Sequence, residues 1–159
     1  MSVDIRPLTE ADLPALLDLI QALADYEKLP GPDAEARARI SRDAVADPPR
    51  FRTLLAEHDG RVIGYGLYFF TYSTFLAKPT LWVEDIFVLP WERGNGAGKA
   101  IMAALAREAV LQGCGRMEWN VLTWNAPAIA LYEGIGGKIL EEWRVVRMLP
   151  EAFARLAER

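Results

Sequence analysis

Cysteine and histidine are almost missing from this chain of 159 residues: there is one of each, Cys114 and His58. A lone thiol cannot close an internal disulfide, and so small a stock of soft ligands leaves no metal cluster to build, so no metal is expected. No apolar run approaches the ~20 residues needed to cross a bilayer, and the start Met1-Ser2-Val3-Asp4-Ile5-Arg6 lacks the basic-then-apolar order of a secretory signal. Neither a membrane partner nor a leader is expected. An excess of positive charge is missing too. Eighteen Lys and Arg stand against 22 Asp and Glu, a net charge of −4, and the basic residues are scattered rather than striped. Nucleic acid is therefore not an expected partner. Together these absences point to the cytosol, and an acidic chain remains suited to a cationic small molecule.

What is present is a globular composition: 52% hydrophobic and 25% charged residues. With no repeat, linker or low-complexity stretch, residues 1–159 read as a single domain of ordinary size. Val3 to Arg6 alternates like a strand. Thr9 with Asp12 caps a helix that carries Leu13, Leu16, Leu17, Ile20, Leu23 and Ala24 at helical spacing. Pro30 to Asp33 ends it and starts a polar second helix over 33–46. Phe51 to Glu57 and Val62 to Tyr72 form a hairpin across Asp59-Gly60, and Leu81 to Leu89 is another strand. A long amphipathic helix comes after the glycines and stops at Gly113. Arg116 to Leu122 is a strand, Asn125 to Tyr132 a short helix, and Gly136-Gly137 leads into two final strands split near Glu141-Glu142. A last helix starts at Pro150. The layout is mixed α/β, with one central sheet of about six or seven strands.

The segment Arg93-Gly94-Asn95-Gly96-Ala97-Gly98-Lys99 joins a strand to a helix. The first amides of a helix have no internal partner, and its dipole makes that end positive. Glycines let a phosphate approach the backbone. Arg93 to Lys99 therefore reads as a cradle for phosphate or pyrophosphate, the alternative being a glycine-rich turn with no ligand. A Walker loop fails, because Gly94 leads to Lys99-Ala100 rather than Lys-Ser/Thr. A dinucleotide fingerprint fails because Lys99 stands where its third glycine belongs.

At this point the chain resembles the GNAT acetyltransferase superfamily, whose signature Arg/Gln-x-x-Gly-x-Gly/Ala is matched by Arg93 to Gly98. Trp82-Val83-Glu84-Asp85-Ile86-Phe87-Val88 and Trp124-Asn125-Ala126-Pro127-Ala128-Ile129-Ala130-Leu131-Tyr132 are similar to the diamine (spermidine/spermine) and thialysine branch. So are Leu23 to Glu27 and Tyr68 to Tyr72. The resemblance implies a GNAT-like fold with a central mixed, mostly antiparallel sheet flanked by helices, acetyl-CoA as co-substrate, a small-molecule amine as acceptor, and a homodimer. It implies that the backbone of Ile86, Phe87 and Val88 takes the pantetheine arm, that Arg93, Gly94, Asn95, Gly96, Ala97, Gly98 and Lys99 hold the pyrophosphate, and that Asn125, Ala126, Pro127 and Ala128 border the thioester. It makes Tyr132 the general acid and Glu84 the water-assisted base. Tyr26, Glu27, Glu84, Glu118, Trp119, Asn120 and Glu142 fall at substrate-side positions. One departure is Ile135, where the family often has a basic residue contacting the cofactor.

The chemistry is consistent with these residue types. An alkyl amine titrates at about 10.4, so deprotonating it at pH 7 costs roughly 4 to 5 kcal/mol, and a carboxylate that orders a water chain can take that proton. Strand alternation puts Glu84 on one face with Ile86 and Val88. A tyrosine hydroxyl can protonate a departing thiolate. His58, beside the hairpin turn, reads as exposed and far from the glycine cradle. The carboxylates and Tyr26 suit a diamine, polyamine or lysine analogue through charge pairing and cation–π contact. Other amine acceptors (an amino acid, an aminoglycoside, a protein N-terminus) and a non-catalytic acetyl-CoA sensor are the alternatives.

Overall fold

A computed structural model describes residues 2–159, which gather into two compact units, one ending at Asn120 and the other Val121–Arg159. The first contains β1 (Asp4–Pro7), α1 (Leu13–Tyr26), α2 (Ala34–Ala44), β2 (Arg52–His58), β3 (Arg61–Ser73), β4 (Lys78–Val88), α3 (Ala97–Leu111) and β5 (Arg116–Glu118). The strands lie in the order β1-β2-β3-β4-β5, antiparallel from β1 to β4 and parallel between β4 and β5.

Local chemistry explains the elements. The Asp12 carboxylate accepts from the Thr9 backbone N–H and hydroxyl, each at 2.8 Å, and from the Arg6 guanidinium at 2.8 and 2.9 Å. Arg6 also donates to Glu57 at 2.9 Å, so one side chain ties β1, β2 and the entry to α1. Arg6 holds the Asp12 carboxyl well below the usual carboxylate range. The Asp33 carboxylate caps α2 by accepting from the Ala36 N–H at 2.8 Å. Asp59 and Gly60 both take positive φ, 49° and 73°, as a two-residue hairpin requires.

The sheet has an apolar layer on each side. Against α3, the side chains of Ala56, Ile63, Leu81, Val83 and Val88 pack with Ile101, Met102 and Leu105. Against α1, Leu55, Tyr65, Leu67 and Phe87 pack with Leu16 and Leu19. At Gly66 β3 meets α3 closely: a Cβ there would lie 2.7 Å from Ile101 Cγ2.

The second unit contains α4 (Ala126–Gly134) and α5 (Pro150–Ala157). Asn125 caps α4, its side chain accepting from the Ala128 N–H at 3.4 Å. The sequence pattern predicts more sheet than is found. β5 stops at Glu118 rather than Leu122, the described sheet has five strands, and among the described residues no strand comes after Gly137. A strand exists only through a ladder, and among the described residues no ladder reaches Lys138 to Leu149. The apolar residues that suggest strands there stand exposed instead, Trp143 at 74% and Val146 at 91%. No described helix is long and apolar enough to cross a membrane.

Candidate active site

Strand β4 carries the site, and its geometry turns on one extra residue. In the β3–β4 ladder Leu67 faces Asp85 and Tyr68 faces Val83, so Glu84 has no partner opposite. This is a β-bulge, and it reverses the alternation of side chains. Leu81 and Val83 point into the α3 layer before it, and Ile86 and Val88 do so after it, whereas Phe87 joins the α1 layer. Glu84 therefore does not share a face with Ile86 and Val88, as plain alternation predicts. It shares one with Asp85, and the two carboxylates line a single cavity of about 400 Å³. Leu67, Phe69 and Phe51 supply apolar wall, Ile20 and Ile40 reach in from α1 and α2, and Arg50 is the one cation in the described lining.

The two carboxylates differ. Glu84 is exposed and accepts from the Trp82 indole N–H at 2.9 Å. Asp85 accepts from the Tyr65 hydroxyl at 3.1 Å, and burial pushes it up to about 6. The Tyr65 hydroxyl is itself raised, first by burial and then by the Asp85 charge. Sequence reasoning misses Asp85, Tyr65 and Arg50 as site residues. The available signal is the pair Glu84-Asp85 in an apolar strand, which a regular strand would send to opposite faces.

Beyond β4 the chain enters the glycine segment. Gly94 and Gly96 take φ of 89° and 85°, and a Cβ built at either would meet nothing within 4 Å. The loop is thus left-handed where only glycine is comfortable and open above. Asn95 Oδ1 accepts from the Ala97 N–H at 3.0 Å, while Gly98 and Lys99 sit in the first turn of α3, where amides lack a helical partner. These features fit a phosphate held by backbone N–H groups. The parallel pairing of β4 with β5 ends at Trp82, so the β4 backbone of Ile86, Phe87 and Val88 lies past the end of that ladder.

Arg93, at the start of the segment, packs on aromatic rings. Its guanidinium lies 4.6 Å from the Tyr26 ring centroid and 5.5 Å from that of Phe87, and its Nε donates to the Val88 carbonyl at 3.0 Å. Tyr26, the last residue of α1, also tilts against Phe87 at 6.1 Å. Glu27 caps the same helix end, its N–H bonded to the Leu23 carbonyl at 2.9 Å. Glu118 ends β5 paired with Arg116 at 2.6 Å, Trp119 packs on the α3 layer, and Asn120 is exposed. His58 is neither exposed nor remote from the glycine segment. The hairpin places its Nδ1 3.5 Å from Glu92, two residues before Gly94, with Arg61 3.4 Å from the same carboxylate.

In the second unit Tyr132 is half-buried on α4, and burial pushes its hydroxyl up to about 12. Asn125 to Ala128 form the capped start of that helix, Ile135 stands just past its end, and Glu142 is exposed.

The first unit thus joins paired carboxylates, an open glycine loop at a helix start and a strand edge left open beside it, an arrangement that fits an acyl-CoA-using transferase. Comparison with known proteins gives the family. Residues 15–136 match the Acetyltransferase (GNAT) family. The chain is 36% identical to a thialysine N-epsilon-acetyltransferase of Bos taurus, covering 98% of this chain and 97% of that protein. It is 40% identical to an L-ornithine N5-acetyltransferase of Arabidopsis thaliana over 69% of this chain and 48% of that one. An integron cassette protein of V. cholerae shares the fold, with a TM-score of 0.83 at 22% identity over 100% of this chain and 99% of that one. The chain belongs to the GNAT acetyltransferase family and is an acetyl-CoA-dependent N-acetyltransferase.

Proposed function

We propose that the chain moves the acetyl group of acetyl-CoA to a primary amine of a small cationic acceptor, a diamine, polyamine or lysine-type molecule. The observation that carries this reading is the β4 bulge, which puts Glu84 and Asp85 into one cavity on the strand leading to the glycine cradle. The acceptor is an ammonium in solution and must lose a proton to attack. Glu84, exposed to the cavity and oriented by Trp82, takes that proton through water. Bound acetyl-CoA supplies the acetyl group as a thioester. Gly94 to Lys99 hold its pyrophosphate, the β4 backbone at Ile86 to Val88 takes the pantetheine arm, and Asn125 to Ala128 border the reacting end. Tyr132 protonates the departing thiolate. A hydroxyl raised to about 12 stays protonated at neutral pH, as an acid must. Tyr26, Glu27, Glu118, Trp119, Asn120 and Glu142 complete the acceptor side. Relatives named for thialysine and ornithine support an amine of this size.

The test is a panel of amines with radiolabelled acetyl-CoA on the parent, Glu84→Gln and Tyr132→Phe. Tyr132→Phe lowers kcat by about 100-fold or more with a much smaller change in KM for acetyl-CoA. An unchanged kcat removes Tyr132 from the acid role. We also place the enzyme in the cytoplasm, in keeping with its single free cysteine, and infer a homodimer. The exposed Leu140, Trp143, Val145, Val146 and Met148 support a second copy as their cover, and light scattering reads the mass directly.

A further inference from the structure

The acceptor cavity is not uniformly acidic. Glu84 and Asp85 lie on β4, while Arg50 enters from the segment before β2, on the other side of β3. Two strand spacings, roughly 10 Å, separate the backbones of β2 and β4. Leu67 and Phe69 of β3 form the apolar floor between the two ends. Arg50 is anchored through its backbone N–H, which donates to the Asp43 carbonyl at 3.1 Å. The nearby Asp43 carboxylate is hydrogen-bonded by Arg42 at 2.9 Å and is close enough to feel the Arg50 charge as a lesser influence.

We propose that Arg50 is a specificity-determining residue that binds the carboxylate of the acceptor, so that the cavity selects an amino acid with a side-chain amine over a diamine or polyamine of the same length. This rests on the acetyl-transfer reading above and names the acceptor class for the same cavity. Charge complementarity over a fixed span makes the selection. An amine that reaches Glu84 along the apolar floor carries its far end towards Arg50. A carboxylate there meets a planar fork of donors able to hold it through two parallel bonds. The second ammonium of a diamine meets a like charge there instead.

The experiment compares kcat/KM for lysine and for cadaverine, which differ only in the carboxylate, on the parent, Arg50→Ala and Arg50→Glu. The parent prefers lysine. Arg50→Ala cuts the lysine-to-cadaverine ratio by about tenfold or more, and Arg50→Glu cuts it further. Lysinamide, which keeps both amines and lacks the carboxylate charge, separates binding from folding: calorimetry on the unaltered protein finds it weaker than lysine. A parent that prefers cadaverine, or a ratio untouched by Arg50→Ala, or equal affinity for lysine and lysinamide overturns the proposal while leaving acetyl transfer intact. Failure of the parent to acetylate any amine of the panel overturns the reading on which it rests, and the proposal with it.

Discussion

On the face covered by α3, Ile63, Leu81 and Val83 meet Ile101 and Leu105 in a fully buried apolar layer. On the face covered by α1, the same two strands present Tyr65, Glu84 and Asp85. The difference originates in the backbone. Without the bulge, Glu84 and Asp85 would alternate, and one carboxylate would be driven into the α3 layer at a cost of several kcal/mol. One inserted residue keeps every carboxylate of β4 on one face and every aliphatic of Leu81, Val83, Ile86 and Val88 on the other. One strand thus serves as core for α3 and as wall for the proposed acceptor cavity.

Breaking the apolar face gives the largest effect. Leu105 is fully buried, and its Cδ1 lies 3.4 Å from where a Cβ on Gly66 would stand. Leu105→Ala removes about 2–5 kcal/mol of stability through lost transfer energy and the cavity left behind. Urea titration measures the loss. Because the change is confined to the α3 side, kcat/KM of the folded fraction stays that of the parent. A large fall in kcat/KM with little loss of stability would show that the two faces are not independent.

Features set by neighbouring residues are legible in the sequence. The Asp59-Gly60 turn, the Asp33 cap, the Thr9/Asp12 pair and the glycines before α3 each stem from the conformational needs of one or two residues. Features set by a distant partner are not. The bulge is invisible to a period-two reading, because an extra residue leaves the apolar count intact and only changes the direction of the side chains after it. The expectation of two last strands rests on apolar alternation between Lys138 and Leu149, yet alternation supplies a face and not a ladder. His58 is misplaced by the sequence pattern for a related reason: hairpin tips are usually remote, but the start of β3 pairs with the end of β4, Gly64 opposite Val88, so this tip lies beside the turn that carries Glu92. Arg50 lies outside every motif and joins the cavity only once β2 and β4 flank β3.

On the other face, Asp85 connects charge to stability. Burial raises it to about 6, with Glu84 and Glu27 adding to the rise and the Tyr65 hydrogen bond opposing it. Its ordinary value is about 4, so between those pH values the folded state holds a proton that the unfolded chain has lost. Ionisation is therefore a cost: this group's contribution falls as pH rises from about 4 to about 6 and is constant above. Asp85→Asn removes the cost and keeps an acceptor for Tyr65. At pH 8 the variant gains roughly 2–3 kcal/mol over the parent, and at pH 3.5 the gain vanishes. Denaturation curves at the two pH values check it. An equal difference at both would mean that folding leaves the Asp85 carboxyl at its ordinary value.

The smallest effect asks whether Arg93 acts through its charge or through its shape. Its guanidinium is stacked on Tyr26 and Phe87 and bonded to the Val88 carbonyl, which joins the end of α1 to the strand that enters the glycine loop. An ammonium keeps the charge but cannot lie flat on one ring while donating edge-on to a carbonyl. A group that neutralises pyrophosphate would be rescued by lysine. A group that holds Tyr26 and the loop in place would not. Stacking of this kind contributes about 1 kcal/mol. Arg93→Lys and Arg93→Gln are therefore expected to lose similar stability, about 1 kcal/mol each, and to weaken CoA binding by a similar factor of about five. Calorimetric titration with CoA separates the cases: if Arg93→Lys binds CoA as tightly as the parent while Arg93→Gln does not, the charge is what counts and the cradle extends to Arg93.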